Sequence, residues 1–310
     1  MSLKNINSTR HWYGFYLSLT TAILWGILPV FLILSLEIMD AVTITLYRFF
    51  VAGLCVFLLL LKSKSLPRLS TLGKNKGIWL MTASLFLVGN YVSNIKGLEY
   101  INPETVQIVM QIAPFMLMIG SVVFFKERLS RLEICGAVIL FCGLLLFFND
   151  RISDLFLSLS QFTTGVLIIL FAATSWAAYA LMQKPLLKIL TAKQLTFLIY
   201  VIGFCVLLPF SSVSQLMNMQ IIHVLALLFC CANTIVAYGA FTEALRIWQA
   251  AKVSAVLAMS PIFTFLSMLI AVQWLPQHFS ASYLDPWAYI GAGVVIIGSS
   301  MTALGKSKPP

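Results

Sequence analysis

Ten apolar windows of roughly 20 residues follow one another along this chain, with only short polar turns between most of them. They run Phe15–Leu36, Val42–Leu61, Ile78–Leu98, Pro103–Phe125 and Leu132–Phe148, then Thr164–Leu186, Leu195–Phe210, Ile221–Ala244, Gln249–Val272 and Trp287–Leu304. Such a window matches the ~30 Å hydrocarbon core of a bilayer at ~1.5 Å of rise per helical residue. In lipid every backbone N–H and C=O needs a partner within the protein, and long apolar runs supply one by forming helices. Composition agrees: 60% of residues are hydrophobic and 10% charged, against ~25% charged in soluble domains, and the mean hydropathy is +0.97. The expected fold is an all-α integral membrane protein of ten transmembrane helices. Two starts carry a visible signal, because Asn102-Pro103 and Asp285-Pro286 each set a capping side chain before a proline.

The charges between the windows orient the bundle, since loop lysines and arginines stay on the cytoplasmic side. With the N-terminus inside, Lys4, Arg10, Lys62, Lys64, Arg68, Lys74, Lys76, Lys126, Arg128, Arg131, Lys184, Lys188, Lys193, Arg246, Lys252, Lys306 and Lys308 all fall there. Arg48, Lys96 and Arg151 do not, and the opposite turns hold Glu37, Asp40, Glu99, Glu104, Asp150, Asp154 and Asp285. An odd span count would scramble that sorting. A multi-pass cell-membrane protein with both termini cytoplasmic is therefore expected, in the inner membrane if the source is bacterial. The same sorting accounts for the net charge of +10 without nucleic acid as a partner. The polar segment up to Tyr13 leads into a full-length span with no small-residue cleavage site, so no cleavable signal peptide is expected. Cys55, Cys135, Cys142, Cys205, Cys230 and Cys231 lie inside apolar windows without ligand spacing and read as reduced packing residues. No cofactor or metal is expected.

The two halves echo each other. Gly14 precedes Trp25 by the same eleven residues that separate Gly165 from Trp176. "GLCVFLLL" from Gly53 answers "GFCVLLPF" from Gly203, and "QIAPFM" around Pro114 answers "AMSPIF" around Pro261. Gly136 and Gly143 correspond to Gly291 and Gly298. Residues 1–150 and 151–310 thus form two five-helix units of one membrane domain. Because five is odd, the second enters from the opposite side, an inverted-topology repeat. One chain holds both repeats, so a monomer suffices and a dimer is compatible. The expected partners are the bilayer and a small-molecule substrate.

These motifs resemble the drug/metabolite transporter superfamily in its ten-helix EamA-type branch. The resemblance covers nearly the whole chain and rests on "LWGILPVF", "YRFF", "GLEYINPETVQIVMQIAPFM" and "FKERLSRLEICGAVILFCG". It implies two inverted five-helix repeats, a central substrate cavity and alternating access. Members mostly export amino acids or other metabolites, and some import. Small four-helix relatives couple to protons through a glutamate in the first helix, whereas the first span here has no acid before Glu37.

Polar groups inside a membrane are costly unless they face protein or water, which makes each one a candidate. Arg48, two turns into the second span, suits a substrate carboxylate or else pairs with Glu37, Asp40 or another outer acid. Lys96 lies near a helix end and is expected to snorkel. Asn90 and Asn94, with Tyr91 beside them, share a face of the third span; Gln107 and Gln111 share one of the fourth. These amides line a cavity or tie helices together. Trp25 and Trp176 stand at matching mid-helix positions, with Tyr179 near the latter. Asn233 and Tyr238 interrupt the eighth span, and Ser254 matches Gln107. Pro29, Pro114 and Pro261 are hinge candidates. Glu243 is a coupling candidate, with a pair to Arg246 as the alternative.

The leading expectation is a secondary transporter exporting amino acids or related small polar metabolites. Import of a metabolite, vitamin or nucleoside-like compound is the alternative on the same fold. A membrane enzyme acting on lipid-linked groups would need clustered His, Asp or Glu at a membrane face. His11, His223 and His278 share no helical spacing and no zinc motif, so no enzyme is expected.

Overall fold

The computed structural model describes residues 3–67, 73–126, 129–151, 160–248, 250–282 and 284–304. Among them the regular structure is all helical: α1 (Leu3–Leu36), α2 (Ala41–Lys62), α3 (Gly73–Gly97), α4 (Pro103–Met110), α5 (Ile112–Phe125) and α6 (Arg131–Phe147), then α7 (Gln161–Leu186), α8 (Ala192–Leu207), α9 (Ile221–Ile247), α10 (Ala250–Leu257), α11 (Ser260–Trp274) and α12 (Pro286–Leu304). Helix starts leave backbone N–H groups without partners, and polar side chains satisfy them. Asp40 accepts from Thr43 N at 2.9 Å and Asn102 from Thr105 N at 3.0 Å. Ser130 with Glu133, and Thr191 with Gln194, form reciprocal capping boxes. Asp285 takes the N–H groups of Trp287 and Ala288 at the start of α12.

Among the described residues eight segments are long and apolar enough to cross a membrane, where ten spans were expected. The other two depart for local reasons. The window at 103–125 is divided at Gln111 into α4 and α5, of 8 and 14 residues. Pro114 offers no N–H to the carbonyl of Met110, four residues earlier, and α4 ends at Met110. The expected fifth span, α6, has 17 residues, at the short end of the ~17–25 needed for a crossing. Pro261 acts as Pro114 does, standing four residues after Leu257, where α10 ends. Pro29, by contrast, sits inside an unbroken α1.

Successive crossings alternate in direction, so the turns gather at two faces. Lys62, Lys64, Lys74, Lys76, Lys126, Lys188 and Lys193 share the basic face, and Glu37, Asp40, Glu99, Glu104 and Asp285 the acidic one. Lys96 pairs there with Glu99 at 2.5 Å. Arg68, Arg128, Asp154, Lys306 and Lys308 lie outside the described residues, as do the side chains of Lys4, Arg10, Arg151, Lys184, Arg246 and Lys252.

Two groups of helices flank the centre. One joins α3, α4, α5 and α7; the other joins α1, α9, α10 and α11. α2 packs on α8, and α6 on α12. The α6–α12 contact is backbone against backbone, as small residues permit in membranes. A Cβ on Gly136 would meet Thr302 N at 2.5 Å, and one on Gly143 would meet Val295 N at 2.6 Å. Between the two groups, α4 packs on α11 and touches α1 toward the acidic face. Toward the basic face, α5 and α10 make no comparable contact among the described residues. Among the described residues the direct contact between the groups is therefore concentrated at the acidic end.

Candidate functional site

A cavity of ≈190 Å³ lies where the two helix breaks face each other, lined at the breaks by Met110, Gln111, Ala113, Leu257, Ala258 and Ser260. A broken helix exposes carbonyls that the ladder no longer uses, and in membranes such backbone is tolerated where it is buried in protein or lines a cavity. At the α10–α11 break two carbonyls are taken up by side chains. Ser260 Oγ donates to Leu257 O at 2.7 Å, and Gln111 Nε2 donates across to Ala258 O at 2.8 Å. Gln111 Oε1 in turn accepts from Ser299 Oγ at 3.1 Å. Pro29 leaves the Trp25 carbonyl without its helical donor, and Gln107 Nε2 fills that place at 3.1 Å.

Arg48 is the charged residue of the lining. It is 4% exposed. Its Nε donates to Thr234 Oγ1 at 2.9 Å, and its Cζ stands 4.6 Å from the centre of the Tyr91 ring, a cation–π arrangement. The expected alternative, an ion pair with an outer acid, is not what the geometry shows. Asp40 is occupied in capping α2. Glu37 is held by His223 Nε2 at 3.0 Å and His278 Nδ1 at 2.8 Å. Partial burial opposes the Glu37 charge, but the hydrogen bonds and charges of the two histidines outweigh it and hold its carboxyl below the ordinary value. Among the described residues no carboxylate pairs with Arg48. A buried charge without a counter-charge costs several kcal/mol, so this site favours an anionic group beside it.

Of the other residues singled out in the sequence, Trp25, Asn90, Tyr91, Asn94, Gln107, Gln111, Trp176, Tyr238 and Ser254 all line the cavity. Asn90 Nδ2 also donates to Ala172 O at 2.9 Å. Lining and helix tying thus coexist in the same amides. Asn94 and Ser254 make no side-chain hydrogen bond to a described residue, which leaves them available to a ligand. Trp25 packs at 5.3 Å from Tyr238 and 5.6 Å from Phe241, ring centre to ring centre. Two expected residues lie elsewhere. Tyr179 is buried in the core formed by α2, α3, α7 and α8, and Asn233, 2% exposed, donates to Leu24 O at 2.6 Å. The helix register on α7 and α9 turns both away from the lining. Glu243 is half-buried on α9 and is not part of the lining; the side chain of its expected partner Arg246 is outside the described residues. Sequence reasoning missed Leu28, Met110, Ala113, Phe241, Leu257, Ala258 and Ser260. Phe241 had a signal, three residues after Tyr238 on the same face; the others are apolar or small, and in an apolar helix such residues carry none.

A multi-pass helical bundle with a central cavity at paired helix breaks defines the class: a membrane transporter fold. The chain belongs to the EamA-like transporter family, which it matches over residues 12–149 and 163–304. It is 37% identical over 296 residues to the uncharacterized inner membrane transporter YhbE of Escherichia coli (strain K12), covering 94% of this chain and 91% of that protein. An uncharacterized transporter of Haemophilus influenzae is 35% identical over 298 residues, 96% of each chain. One solved crystal structure superposes with a TM-score of 0.62 at 15% identity, over 93% of this chain and 94% of its own, a likeness of fold alone.

Proposed function

We propose that this chain is a secondary transporter, not an enzyme, that moves a small carboxylate-bearing polar metabolite by alternating access. Export of amino acids or their analogues is the preferred reading, with the basic face and both termini in the cytoplasm. The observation that carries it is Arg48, a buried guanidinium that meets no counter-ion among the described residues, in a cavity between two broken helices. A guanidinium binds carboxylates through paired N–H donors. Asn94 and Ser254 supply neutral polar contacts, and Trp25, Trp176 and Phe241 supply apolar ones. Two five-helix halves, residues 1–150 and 151–310, inserted in opposite senses, would exchange conformations to open the cavity to each side in turn. The lack of a comparable contact between α5 and α10 among the described residues corresponds to a conformation open toward the basic face.

Counterflow in proteoliposomes tests the reading. Vesicles preloaded with an amino-acid mixture should accumulate labelled amino acid against its gradient. Accumulation of a nucleoside or a vitamin instead would favour the alternative substrate class. Accumulation of nothing from a broad carboxylate panel would remove the substrate assignment.

A further inference from the structure

A second feature lies on the outside of the bundle, independent of the central cavity. α2 and α8 pack side by side and leave a groove of ≈240 Å³ between them. Its floor is Gly53, whose Cβ position would stand 3.4 Å from Tyr200 Cβ. One end is walled by Phe50 and Phe204, with ring centres 5.5 Å apart, and the other by Phe57 and Phe197, stacked at 5.6 Å. Phe50 to Phe57 is seven residues, or about 10 Å of helix. Phe50 and Leu54 are 48% and 47% exposed along this groove.

The Phe57–Phe197 end points toward the basic face. Lys193 stands one helical turn before Phe197 on the same stripe of α8, and Lys62 closes α2 five residues after Phe57. Gln194 Nε2 donates to Ser65 O at 2.8 Å, which ties the residue after Lys193, at the start of α8, to the residue after Lys64, in the turn after α2. All three lysines are exposed, and none forms an ion pair with a described residue. A narrow apolar slot that ends in three uncompensated cations has the charge pattern of an anionic amphiphile. A second copy of this chain fits less well. Seated groove to groove by a two-fold axis along the membrane normal, the two copies would bring both lysine clusters together at one face, where like charges repel.

We propose that the α2–α8 groove is a binding site for an anionic phospholipid, with one acyl chain between the phenylalanines and the phosphate at Lys62, Lys64 and Lys193. Clustered basic residues at a membrane face bind anionic headgroups, and the aromatic slot adds the shape that would separate a site from general attraction to the surface.

Native mass spectrometry of the detergent-purified full chain tests this, with phosphatidylglycerol titrated against phosphatidylcholine of the same acyl chains. Phosphatidylglycerol is expected to bind more tightly, by about fivefold for each lysine engaged. Lys62→Ala/Lys64→Ala/Lys193→Ala should bring the two lipids level, with Lys193→Ala alone giving a partial loss. Leu54→Trp, which fills the slot from its exposed side, should weaken both lipids while leaving the lipid-free melting temperature unchanged. Equal binding of the two lipids by the unmodified chain would overturn the proposal, as would a preference that survives the triple substitution. Wild-type binding by Leu54→Trp would reduce the site to surface electrostatics and remove the groove from it. A dimer abolished by Leu54→Trp would assign the groove to a second copy instead.

Discussion

The two broken helices of this molecule share a cause and differ in their surroundings. Pro114 and Pro261 each end a helix at the residue four positions earlier, and both breaks open on the same cavity. At the α4–α5 break, side chains reach across to the other group of helices. Gln107 holds the Trp25 carbonyl, Gln111 holds the Ala258 carbonyl, and buried Glu104 accepts from Ser282 Oγ at 2.9 Å. At the α10–α11 break the matching positions are Ser254 and Ala258, and Ser254 makes no such bond. The packing follows the chemistry: α4 meets α11 toward the acidic face, and no comparable contact joins α5 and α10 among the described residues. Closure of the acidic end is thus reinforced by side-chain ties that have no counterpart among the described residues of the basic end. A transporter built this way is expected to rest with its acidic end shut.

The comparison can be broken most severely at the prolines. Pro114→Ala restores the missing N–H and removes a penalty of ~3 kcal/mol against a continuous helix. The helix is then expected to close through Gln111 and pull it away from Ala258. Transport in proteoliposomes should fall by about tenfold or more, because each ~1.4 kcal/mol is a factor of ten. Pro261→Ala should cost less, since the α10–α11 break carries no amide tie of its own. Equal losses would mean that the ties at Gln107 and Gln111 do not matter. Gln111→Leu comes next. It removes one interhelical bond to Ala258 and one to Ser299, each worth roughly 0.6–2 kcal/mol. Labelling of an introduced cysteine at Asn94 from the acidic side should rise by about threefold or more. Ser254→Gln sharpens the comparison from the other side, by giving α10 the amide that α4 has at position 107. Acidic-side labelling in that variant should rise by a factor near threefold as the opposite closure gains a tie.

The smallest effect is expected at Glu37, which joins the end of α1 to the start of α9 and the segment after α11 through His223 and His278. Its carboxyl is held below the ordinary value in the folded chain. The stability it contributes is therefore full above the ordinary carboxylate range and is lost as pH falls through the lowered value. Melting curves across acidic pH should show that loss in the wild type and not in Glu37→Gln. Because Glu37 is exposed, the difference should stay under about 1 kcal/mol.

Much of this architecture is legible in the sequence because membrane folding writes strong signals. Apolar windows, helix caps such as Asn102 and Asp285, and the proline pair at 114 and 261 are local patterns with local causes. Intramembrane amides and a lone arginine stand out against an apolar background, which is why Arg48, Asn94 and Gln111, which line the cavity, are visible in sequence. What escaped depends on contacts between distant segments. Nothing near His223 or His278 in sequence says that both turn toward Glu37. Tyr179 and Asn233 look like cavity residues in sequence, and only the rotation of their helices turns them into the packing. The apolar part of the lining, Leu28 and Met110 among it, has no signature against sixty per cent hydrophobic residues. The break at Gln111 was visible as a proline, but a proline in the sequence does not by itself say whether a helix runs on or divides. α1 runs unbroken through Pro29, and α4 does not run through Pro114.

The central claim is that Arg48 holds an anionic group of the substrate in this cavity, and ligand-induced thermal stabilisation tests it most directly. The purified protein would be screened against amino acids and other small carboxylates beside their uncharged amides, with Arg48→Ala and Arg48→Lys in parallel. Stabilisation is expected from a carboxylate and not from its amide. It should be lost in Arg48→Ala at an unchanged ligand-free melting temperature and only partly kept in Arg48→Lys. A ligand that stabilises wild type and Arg48→Ala equally would contradict the claim and make Arg48 a structural residue bound to Thr234 and Tyr91.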